Sequence, residues 1–434
     1  MELQTTRSSS PQNRDVEPSG DIVTTANDRA ERFLTSRNVL KLICAGFSFF
    51  YAGTNDGTTG PLIPYMLRNY HASTALITVI YVGTFIGWFI SALTNTHLTT
   101  TLRLSLGATL LLGAGLQLLA QLLRFWGPPF PLFVITFFLT ALGQAYQDSY
   151  SNAFVAKVPQ AHRWLGFIHA MYMLGCLTGP FVGTLISSHT HWYYTYAAEA
   201  GLGCLNLGFV FVAFRDDIFR AWKKRAVEGR DNTRARNKQA IKEIRQTLQL
   251  PSVWLVSLFF FFFLGAAITA GGWVVEYLVR VRHGDLSSMG YVPTGYYGGG
   301  FLGRLLLAEP THRLGERRMI FLYTVICVAL QVMFWTIPNM VAGAVLYSAL
   351  GFFSGPFFVS RIHLDTPSHG DIAGFVFVMA QMGASLFPTV TGIIAANAGV
   401  KVLQPMLVGL FVLVGASWWL VPKVEKGRGG ERSD

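Results

Sequence analysis

Residues 252–279 read SVWLVSLFFFFFLGAAITAGGWVVEYLV, a run in which Glu276 is the only charged residue. The hydrocarbon core of a bilayer is about 30 Å thick, and a helix needs roughly 20 mostly apolar residues to cross it. This stretch is long and apolar enough to be such a helix. Similar runs recur along the chain, so the prediction of the fold extends outwards from this one.

The composition of the whole chain agrees with a membrane protein. Of its 434 residues, 51% are hydrophobic and only 13% are charged, and the mean hydropathy is +0.40. A soluble domain usually has about 25% charged residues. The net charge of +11 is concentrated in the tails and one central segment. This placement favours a membrane topology signal and argues against a nucleic-acid-binding surface.

Twelve spans of suitable length are predicted. They are residues 39–65, 74–94, 103–123, 130–156, 163–187, 192–214, 252–279, 288–308, 319–337, 340–360, 371–396 and 403–421. The predicted fold is therefore an all-α membrane protein with twelve transmembrane helices. It divides into a disordered cytoplasmic N-terminal tail (1–36), a six-helix bundle (37–214), a basic cytoplasmic linker (215–250), a second six-helix bundle (251–422) and a cytoplasmic C-terminal tail (423–434).

The distribution of basic residues predicts the orientation, because Lys and Arg are enriched on the cytoplasmic side of membrane proteins. With both termini cytoplasmic, five of the 34 Lys and Arg residues fall in outer loops: Arg68, Arg124, Arg280, Arg282 and Lys401. Arg304 falls within a span, and the others are cytoplasmic. The linker has two basic clusters, Arg220–Arg225 and Arg234–Arg245, which are expected to form short helices on anionic inner-leaflet lipid.

An internal repeat relates the two predicted bundles. A shift of 208 residues superposes Gly166-Phe167, Met171, Gly175 and Pro180 on Gly374-Phe375, Met379, Gly383 and Pro388, and Ala141-Leu142-Gly143 on Ala349-Leu350-Gly351. Shifts of 216 and 212 relate Tyr81, Gly83 and Gly87 to Tyr297, Gly299 and Gly303, and Gly53, Gly60 and Tyr65 to Gly265, Gly272 and Tyr277. Span n thus matches span n+6, which predicts two parallel halves with close packing at the glycines. Pro180 and Pro388 are expected to have structural or gating roles.

Span four carries five polar residues, Gln144, Gln147, Asp148, Ser151 and Asn152. Their spacing predicts a single helix face. Lipid cannot satisfy such a face, so it should border water or a ligand. Gln144, Gln147 and Asn152 are therefore predicted substrate-binding residues. Hydrogen bonding between helices is the alternative.

Asp56 of span one and Asp148 of span four are the predicted proton-coupling residues. A charge within a span costs at least ~2.5 kcal/mol, so each is a functional hypothesis. A partly desolvated carboxylate can take up and release a proton as access to it alternates. Binding of a cationic substrate is the alternative role. The neighbouring Asn55 is a predicted substrate ligand.

Further candidates lie on the spans expected to surround a central site. His169, Tyr172, Trp273 and Tyr296 are predicted to bind substrate, with packing as the alternative for His169. Arg304, late in span eight, is predicted to be a structural charge clamp. Glu199 and Glu276 are given no role, because the first lies on a span expected to be peripheral and the second lies near an outer end.

Motifs across residues 39–421 resemble a known family. They are Gly53-Thr54-Asn55-Asp56-Gly57, Gly60-Pro61-Leu62-Ile63-Pro64, Gln147-Asp148, Asn152, Phe154-Val155, Gly295-Tyr296-Tyr297, Gly299, Gly303-Arg304, Leu314-Gly315-Glu316-Arg317, Gly374-Phe375, Gln381, Gly383, Pro388 and Val402-Leu403-Gln404-Pro405. In order and spacing they resemble the fucose:proton symporter branch of the major facilitator superfamily, and more closely its fungal relatives known as bypass of stop codon protein 6.

The resemblance implies the major facilitator fold and implicates Asp56 and Asp148 in proton coupling. It also suggests Gln381 as a substrate ligand and Arg313 and Gly315 as structural or gating residues. The superfamily's Asp-Arg-x-Gly-Arg signature is missing between spans two and three, and its repeat after span eight survives as His312-Arg313-Leu314-Gly315. Relatives tend to have an acidic residue early in span seven, where this chain has Ala266-Ala267, so its substrate can differ from theirs.

These observations predict a proton-coupled transporter of a small organic solute, with a sugar as the first guess, that works by rocking of the two halves. Proton antiport of a fungal secondary metabolite or drug is one alternative, favoured by the aromatic content and by Gly175-x-x-x-Gly179-Pro180. A non-transporting nutrient sensor is another. An enzyme is not expected, nor is a cofactor, a metal, a disulfide or a nucleic-acid partner. The expected state is a monomer in the plasma membrane whose partners are substrate, protons and lipid.

Overall fold

Twelve helices of at least 15 residues lie in the part of the chain that the structure describes. The computed structural model describes residues 36–225, except 101 and 103, together with residues 250–358 and 369–421. The helices are α1 (Ser36–Asn69), α2 (Val79–Thr100), α3 (Leu106–Arg124), α4 (Phe130–Val155), α5 (Ala161–His189), α6 (Thr195–Arg225), α7 (Pro251–Arg280), α8 (Val292–Leu306), α9 (Glu316–Thr336), α10 (Met340–Ser354), α11 (His369–Ala398) and α12 (Leu403–Leu420). Strands are absent from these described residues.

Local chemistry explains where several helices begin. The side chain of Ser105 accepts a hydrogen bond from the backbone nitrogen of Ala108 (3.2 Å), and Asn339 Oδ1 accepts one from Ala342 (2.9 Å). Each satisfies a backbone donor that the first turn of a helix leaves without a partner. Pro251 begins α7, where the missing N–H of proline costs nothing.

Ten helices in the described ranges are long and apolar enough to cross a membrane. The two others are α1 and α8, which occupy the places of predicted spans one and eight. Most of α1 is buried against other helices, so it can carry Asn55 and Asp56 without presenting them to lipid. α8 has only 15 residues. The protein is an all-α, multi-pass membrane protein, and the helix order is consistent with the twelve predicted spans.

The packing of the helices repeats after six. α1 packs on α5 and α6, α2 on α4, and α3 on α4 and α6. In the second half α7 packs on α11 and α12, α8 on α10, and α9 on α10 and α12. The two halves meet through α1 with α7, α2 with α11, and α5 with α8. This pattern agrees with the parallel duplication predicted from the sequence.

Several glycines of the repeat and of its neighbourhood lie where helix backbones touch, whereas Gly166 has nothing within 4 Å of the place where a Cβ would be. A Cβ at Gly57 of α1 would be 2.5 Å from the carbonyl oxygen of Cys176 in α5. Gly175 and Gly179 of α5 in turn lie against the backbone of α1. In the second half Gly383 of α11 contacts the carbonyl of Phe261 in the same way. The Gly-x-x-x-Gly motif of span five therefore has a packing role, whatever the direction of transport.

Some predicted boundaries differ from the structure. α6 continues to Arg225, so the first basic cluster extends this helix rather than forming a separate one. The second cluster, Arg234–Arg245, lies outside the described residues, as do residues 1–35 and 422–434 of the predicted tails. In place of predicted span eight the structure has a one-turn helix (Leu286–Met289), α8 and a short helix (Ala308–Leu314). Gly290 lies between the first two, and Gly315 lies between the last one and α9. Gly315 has φ +98°, a backbone conformation that favours glycine.

Candidate functional site

A cavity with about 1090 Å³ of empty space, including its mouth, lies between the two halves. The first half lines it with Phe49, Asn55, Asp56, Thr59, Gly60, Tyr81, Thr84, Trp88, Phe137, Thr140, Ala141, Gln144, Asp148, Asn152, His169 and Tyr172. The second half contributes Leu264, Ile268, Gly272, Tyr297, Phe377, Gln381, Ala384 and Ser385. The lining thus includes eight of the residues predicted to couple protons or bind substrate.

Close contacts between the two halves close the cavity on the side of the predicted outer end. The loops at 70–73, 125–129 and 337–339 lie at this end. Gly60 of α1 lies against the carbonyl of Gly271 in α7, and Gly272 lies against the hydroxyl of Tyr81. Gly392 of α11 lies against Thr78. Because glycines allow this close approach, the halves meet there almost backbone to backbone.

Other contacts cross between the halves nearer the predicted inner end. The rings of Trp88 in α2 and Phe377 in α11 meet edge to face with centroids 5.1 Å apart. Arg304 Nη1 of α8 donates to the carbonyl oxygen of His169 in α5 (3.3 Å). Arg304 therefore joins the two halves, as a charge clamp would, although its role in gating stays a prediction.

Asp56 is the most fully bonded acid of the cavity. Its Oδ2 accepts hydrogen bonds from Gln144 Nε2 of α4 (2.9 Å) and from the Tyr172 hydroxyl of α5 (2.8 Å). Its Oδ1 accepts one from Asn55 Nδ2 (3.1 Å). Three donors and no acceptor around one carboxyl group suit its ionised form.

Asp148 lies one turn beyond Gln144 on α4 and also lines the cavity. Its Oδ1 is buried, and none of the described residues donates a hydrogen bond to it. Asp148 and Asp56 line the same cavity. Two ionised carboxylates in one partly desolvated cavity repel each other, so this pair favours uptake of a proton.

The polar residues of α4 do not share one face. Gln144, Asp148 and Asn152, at steps of four, line the cavity. Gln147 instead accepts hydrogen bonds on Oε1 from Gln117 of α3 (2.7 Å) and Asn206 of α6 (3.0 Å). A step of three turns a side chain to the other flank of the helix from a step of four. For Gln147 the geometry matches the alternative of hydrogen bonding between helices.

The predicted aromatic ligands divide in a similar way. Tyr172 lines the cavity, whereas Trp273 is fully buried and donates from Nε1 to the carbonyl oxygen of Pro388 (3.0 Å). Tyr296 packs on Tyr347 with ring centroids 4.9 Å apart, and its neighbour Tyr297 faces the cavity instead. The structure thus places Trp273 and Tyr296 outside the lining.

The remaining predicted residues lie as follows. His169 lines the cavity and packs edge-on against Phe49 (5.3 Å between centroids), and Gln381 enters from α11. Arg313 pairs with Glu309 (2.5 Å between Nε and Oε1) on an exposed surface. Pro180 and Pro388 lie inside α5 and α11. The part that any of these residues plays in binding or gating stays a prediction.

One buried charge could not be recognised in the sequence, and a second, Glu199, was given no role. Arg124 was assigned to an outer loop, which is wrong, because it is the last residue of α3 and is only 1% exposed. Glu199 of α6 is 2% exposed. Glu276 is equally buried but pairs with Arg280 (2.9 Å). A basic residue at the end of an apolar span counts as a loop residue in a topology analysis, so only the structure reveals the burial of Arg124.

Comparison with known proteins places this geometry in a family. Residues 45–366 match the model of the Major Facilitator Superfamily. Bypass of stop codon protein 6 of Saccharomyces cerevisiae is 24% identical over 419 residues, which cover 89% of this chain and 83% of that protein.

Solved structures show the same fold. A variant of the E. coli fucose:proton symporter, FucP, aligns with a TM-score of 0.63 and 16% identity over 90% of this chain and 100% of its own. A bacterial homologue of the human lysosomal transporter Spinster, in an inward-facing and unoccupied conformation, aligns with a TM-score of 0.68 and 12% identity over 89% of this chain and 96% of its own.

Proposed function

The chain belongs to the major facilitator superfamily, and it is therefore a membrane transporter rather than an enzyme. From this premise and the chemistry of the cavity we propose that it couples the movement of protons to that of a small organic solute. The observation that carries the proposal is Asp56, a carboxyl group in the cavity wall that donors from three helices hold in place. Asp148 beside it gives the cavity a second proton acceptor.

The lining indicates the class of solute. It includes two carboxyl groups, amides such as Gln144, Asn152 and Gln381, and several hydroxyl groups, and none of the described residues that line it is a Lys or Arg. Such a wall repels anions and can bond to hydroxyl groups on a solute. Aromatic rings such as those of Trp88 and Phe137 can pack on an apolar face. A monosaccharide or polyol fits this chemistry, and a cationic solute is the second choice.

Alternating access supplies the mechanism. The close contacts at Gly60 and Gly272 would have to separate to open the predicted outer side, and those of Trp88 with Phe377 and Arg304 with His169 would separate to open the inner side. A rocking motion of one half against the other breaks the contacts on one side while those on the other side form. A proton bound by Asp56 or Asp148 removes one of the two negative charges of the wall, and this proton then crosses the membrane with the solute.

Export of an aromatic metabolite by proton antiport is the second candidate. Aromatic rings from both halves line the cavity, among them Phe49, Trp88, Tyr297 and Phe377, and this observation favours it. Both candidates use the same carboxyl groups and differ in the direction of solute flow relative to the proton gradient.

Uptake into proteoliposomes tests these proposals. The purified full-length protein would be screened with labelled L-fucose, other hexoses, polyols and aromatic metabolites, each with and without a pH gradient. We expect accumulation of one class that a protonophore abolishes, and that Asp148→Asn reduces severely while the matched buried-acid control Glu276→Gln does not. The coupling assignment would be wrong if accumulation did not depend on the pH gradient. It would also be wrong if Asp148→Asn and Asp56→Asn both left accumulation intact.

The orientation with both termini cytoplasmic is part of the proposal, as are the plasma membrane, the monomeric state and lipid contact of the basic linker. The burial of Arg124 removes one basic residue from the predicted outer loops, which sharpens the charge asymmetry. Labelling of single cysteines introduced at exposed positions 126 and 194 tests the orientation with a membrane-impermeant thiol reagent in intact cells. If these cysteines are labelled only after permeabilisation, the orientation is the reverse of the proposed one.

A further inference from the structure

A second group of buried charges lies among α1, α3 and α6, apart from the residues that line the cavity. Arg124 and Glu199 are 1% and 2% exposed, and the guanidinium carbon of Arg124 lies 5.2 Å from the ring centroid of Tyr196, one turn before Glu199 on α6. Neither side chain lines the cavity, and the transport proposal uses neither. Two buried charges without a role in solute binding require an explanation, because their burial is costly.

Arg124 is held in place by several helices at once. Its Nε donates to Thr136 Oγ1 of α4 (2.6 Å), and its Nη1 donates to Asn55 Oδ1 of α1 (3.1 Å). The guanidinium carbon lies 3.9 Å from the ring centroid of Phe137, a cation–π contact. Its Nη2 is buried, and no described residue accepts a hydrogen bond from it. A guanidinium stays protonated in proteins, so this positive charge is permanent.

A single amide connects Arg124 to the cavity. Asn55 Oδ1 accepts hydrogen bonds from Arg124 and from Gln121 Nε2 (3.0 Å). Because a guanidinium has no lone pair to offer, the oxygen of Asn55 must face it, and the amide nitrogen must face the other way. That nitrogen donates to Asp56 Oδ1 (3.1 Å). Arg124 and Asp56 are therefore linked through one side chain.

The surroundings of Glu199 differ from those of Asp56. None of the described residues donates a hydrogen bond to either carboxyl oxygen of Glu199. The hydroxyl of Thr58 on α1 directs its hydrogen at the carbonyl oxygen of Thr54 (2.7 Å) rather than at Glu199. A buried carboxyl group that accepts no hydrogen bond is costly to ionise. This environment suits Glu199 with a proton and Asp56 without one.

We infer that Glu199 is a further proton-binding residue, outside the cavity lining, which shares the fixed positive charge of Arg124 with Asp56. One guanidinium and two carboxyl groups are neutral together only when one carboxyl group holds a proton. If Asp56 takes up a proton from the cavity, Glu199 becomes the counter-ion of Arg124 and releases its own proton to water. The other titratable side chains around Arg124 and Glu199 are the phenols of Tyr51, Tyr70 and Tyr196 and the thiol of Cys204.

The inference builds on the proposed proton-coupling role of Asp56, but its test needs neither a transported solute nor a pH gradient. Infrared spectra of the full-length protein in lipid nanodiscs separate protonated carboxyl groups from carboxylates by their C=O stretching bands. At neutral pH the wild type should show a protonated-carboxyl component that Glu199→Gln removes. Asp56→Asn should remove the same component, because Glu199 must then ionise to balance Arg124.

Restoring the charge balance gives the decisive result. In the double variant Asp56→Asn, Arg124→Gln the positive charge is absent, so the Glu199 component should return. A residue with a merely structural role would not show this rescue. Glu276→Gln is the matched control, because that carboxylate pairs with Arg280 and its loss should leave the component in place.

Three results would overturn the inference: Glu199→Gln removes no component, Asp56→Asn leaves the component unchanged, or the double variant fails to restore it. If Glu199→Gln does not fold, Glu199→Asp, which should shift the component rather than remove it, replaces it. A failed infrared test would leave gradient-driven uptake intact, whereas a failed transport proposal would show in the uptake screen alone.

Discussion

The two halves of the protein supply walls of different chemistry to the same cavity. The first half places two carboxyl groups, two Asn or Gln amides beside Asn55, and His169 around the site. The second half, which repeats the same packing of helices, supplies aliphatic and aromatic side chains with Gln381, Ser385 and the hydroxyl of Tyr297. The two halves therefore share a scaffold, but the acidic side chains of the described lining all come from the first half, so that half is equipped for proton chemistry and the second mainly adds apolar contact.

The strongest challenge to this comparison is Asp56→Asn. Asparagine cannot carry a proton, so uphill accumulation in proteoliposomes should fall until the internal and external concentrations differ by no more than about twofold, whereas downhill exchange persists. Ser385→Ala on the opposite wall is the matched control and should keep accumulation. Accumulation that survives Asp56→Asn and fails in Ser385→Ala would reverse the assignment of the two walls.

A smaller effect is expected from removing one amide on each wall. Gln144 donates to Asp56, and a hydrogen bond to a charged group contributes about 1.5–3 kcal/mol, so Gln144→Ala should lower uptake at limiting solute by about tenfold to a hundredfold. Gln381→Ala removes a neutral partner at most and should lower it by about two- to tenfold. Equal losses in initial-rate measurements would mean that the walls are equivalent.

Gln147→Ala should separate packing from binding. It would leave Gln117 and Asn206 without their partner, and hydrogen bonds between membrane helices contribute about 0.6–2 kcal/mol. We expect a lower midpoint of thermal unfolding in detergent with an unchanged KM for uptake. A raised KM at unchanged thermal stability would instead mean that Gln147 binds the solute, as the sequence predicts.

The smallest effect should follow from adding a polar group to the apolar wall. Leu264→Asn faces a cavity that water can enter, so its amide can remain hydrated, and the change in solute affinity should stay below about 1.4 kcal/mol, or tenfold. Equilibrium binding of the solute identified by the screen provides the measurement. A larger loss of affinity would show that the apolar wall contacts the solute closely.

Much of the fold and part of the site could be predicted from the sequence. Apolar length, charge placement and the repeat offsets indicated the helices and their order, because the bilayer imposes strong rules on both. Asp56, Gln144, Asp148 and Asn152 were found because polar groups within spans are costly and need a reason. The other residues that line the cavity could be predicted from these rules only in part.

What could not be predicted is the rotation of each helix about its axis. Tyr296 and Tyr297 are adjacent, and only packing against Tyr347 decides which of them faces the cavity. Gln144 and Gln147 differ by one step on the same helix, and bonds to α3 and α6 turn one of them away. Arg124 looked like a loop residue until the aromatic rings around it were known.

The short helix α8 has a consequence for the surrounding lipid. Fifteen residues at 1.5 Å each span about 22 Å, which is less than the hydrocarbon thickness of about 30 Å. Leu302, Leu305 and Leu306 nevertheless present exposed side chains on this helix. If the flanking helices Leu286–Met289 and Ala308–Leu314 lie at the membrane surfaces, the bilayer next to α8 has to thin to match that height. The thickness of the host membrane, set by acyl-chain length and sterol content, therefore becomes a variable that acts on this helix and its packing with α5 and α10.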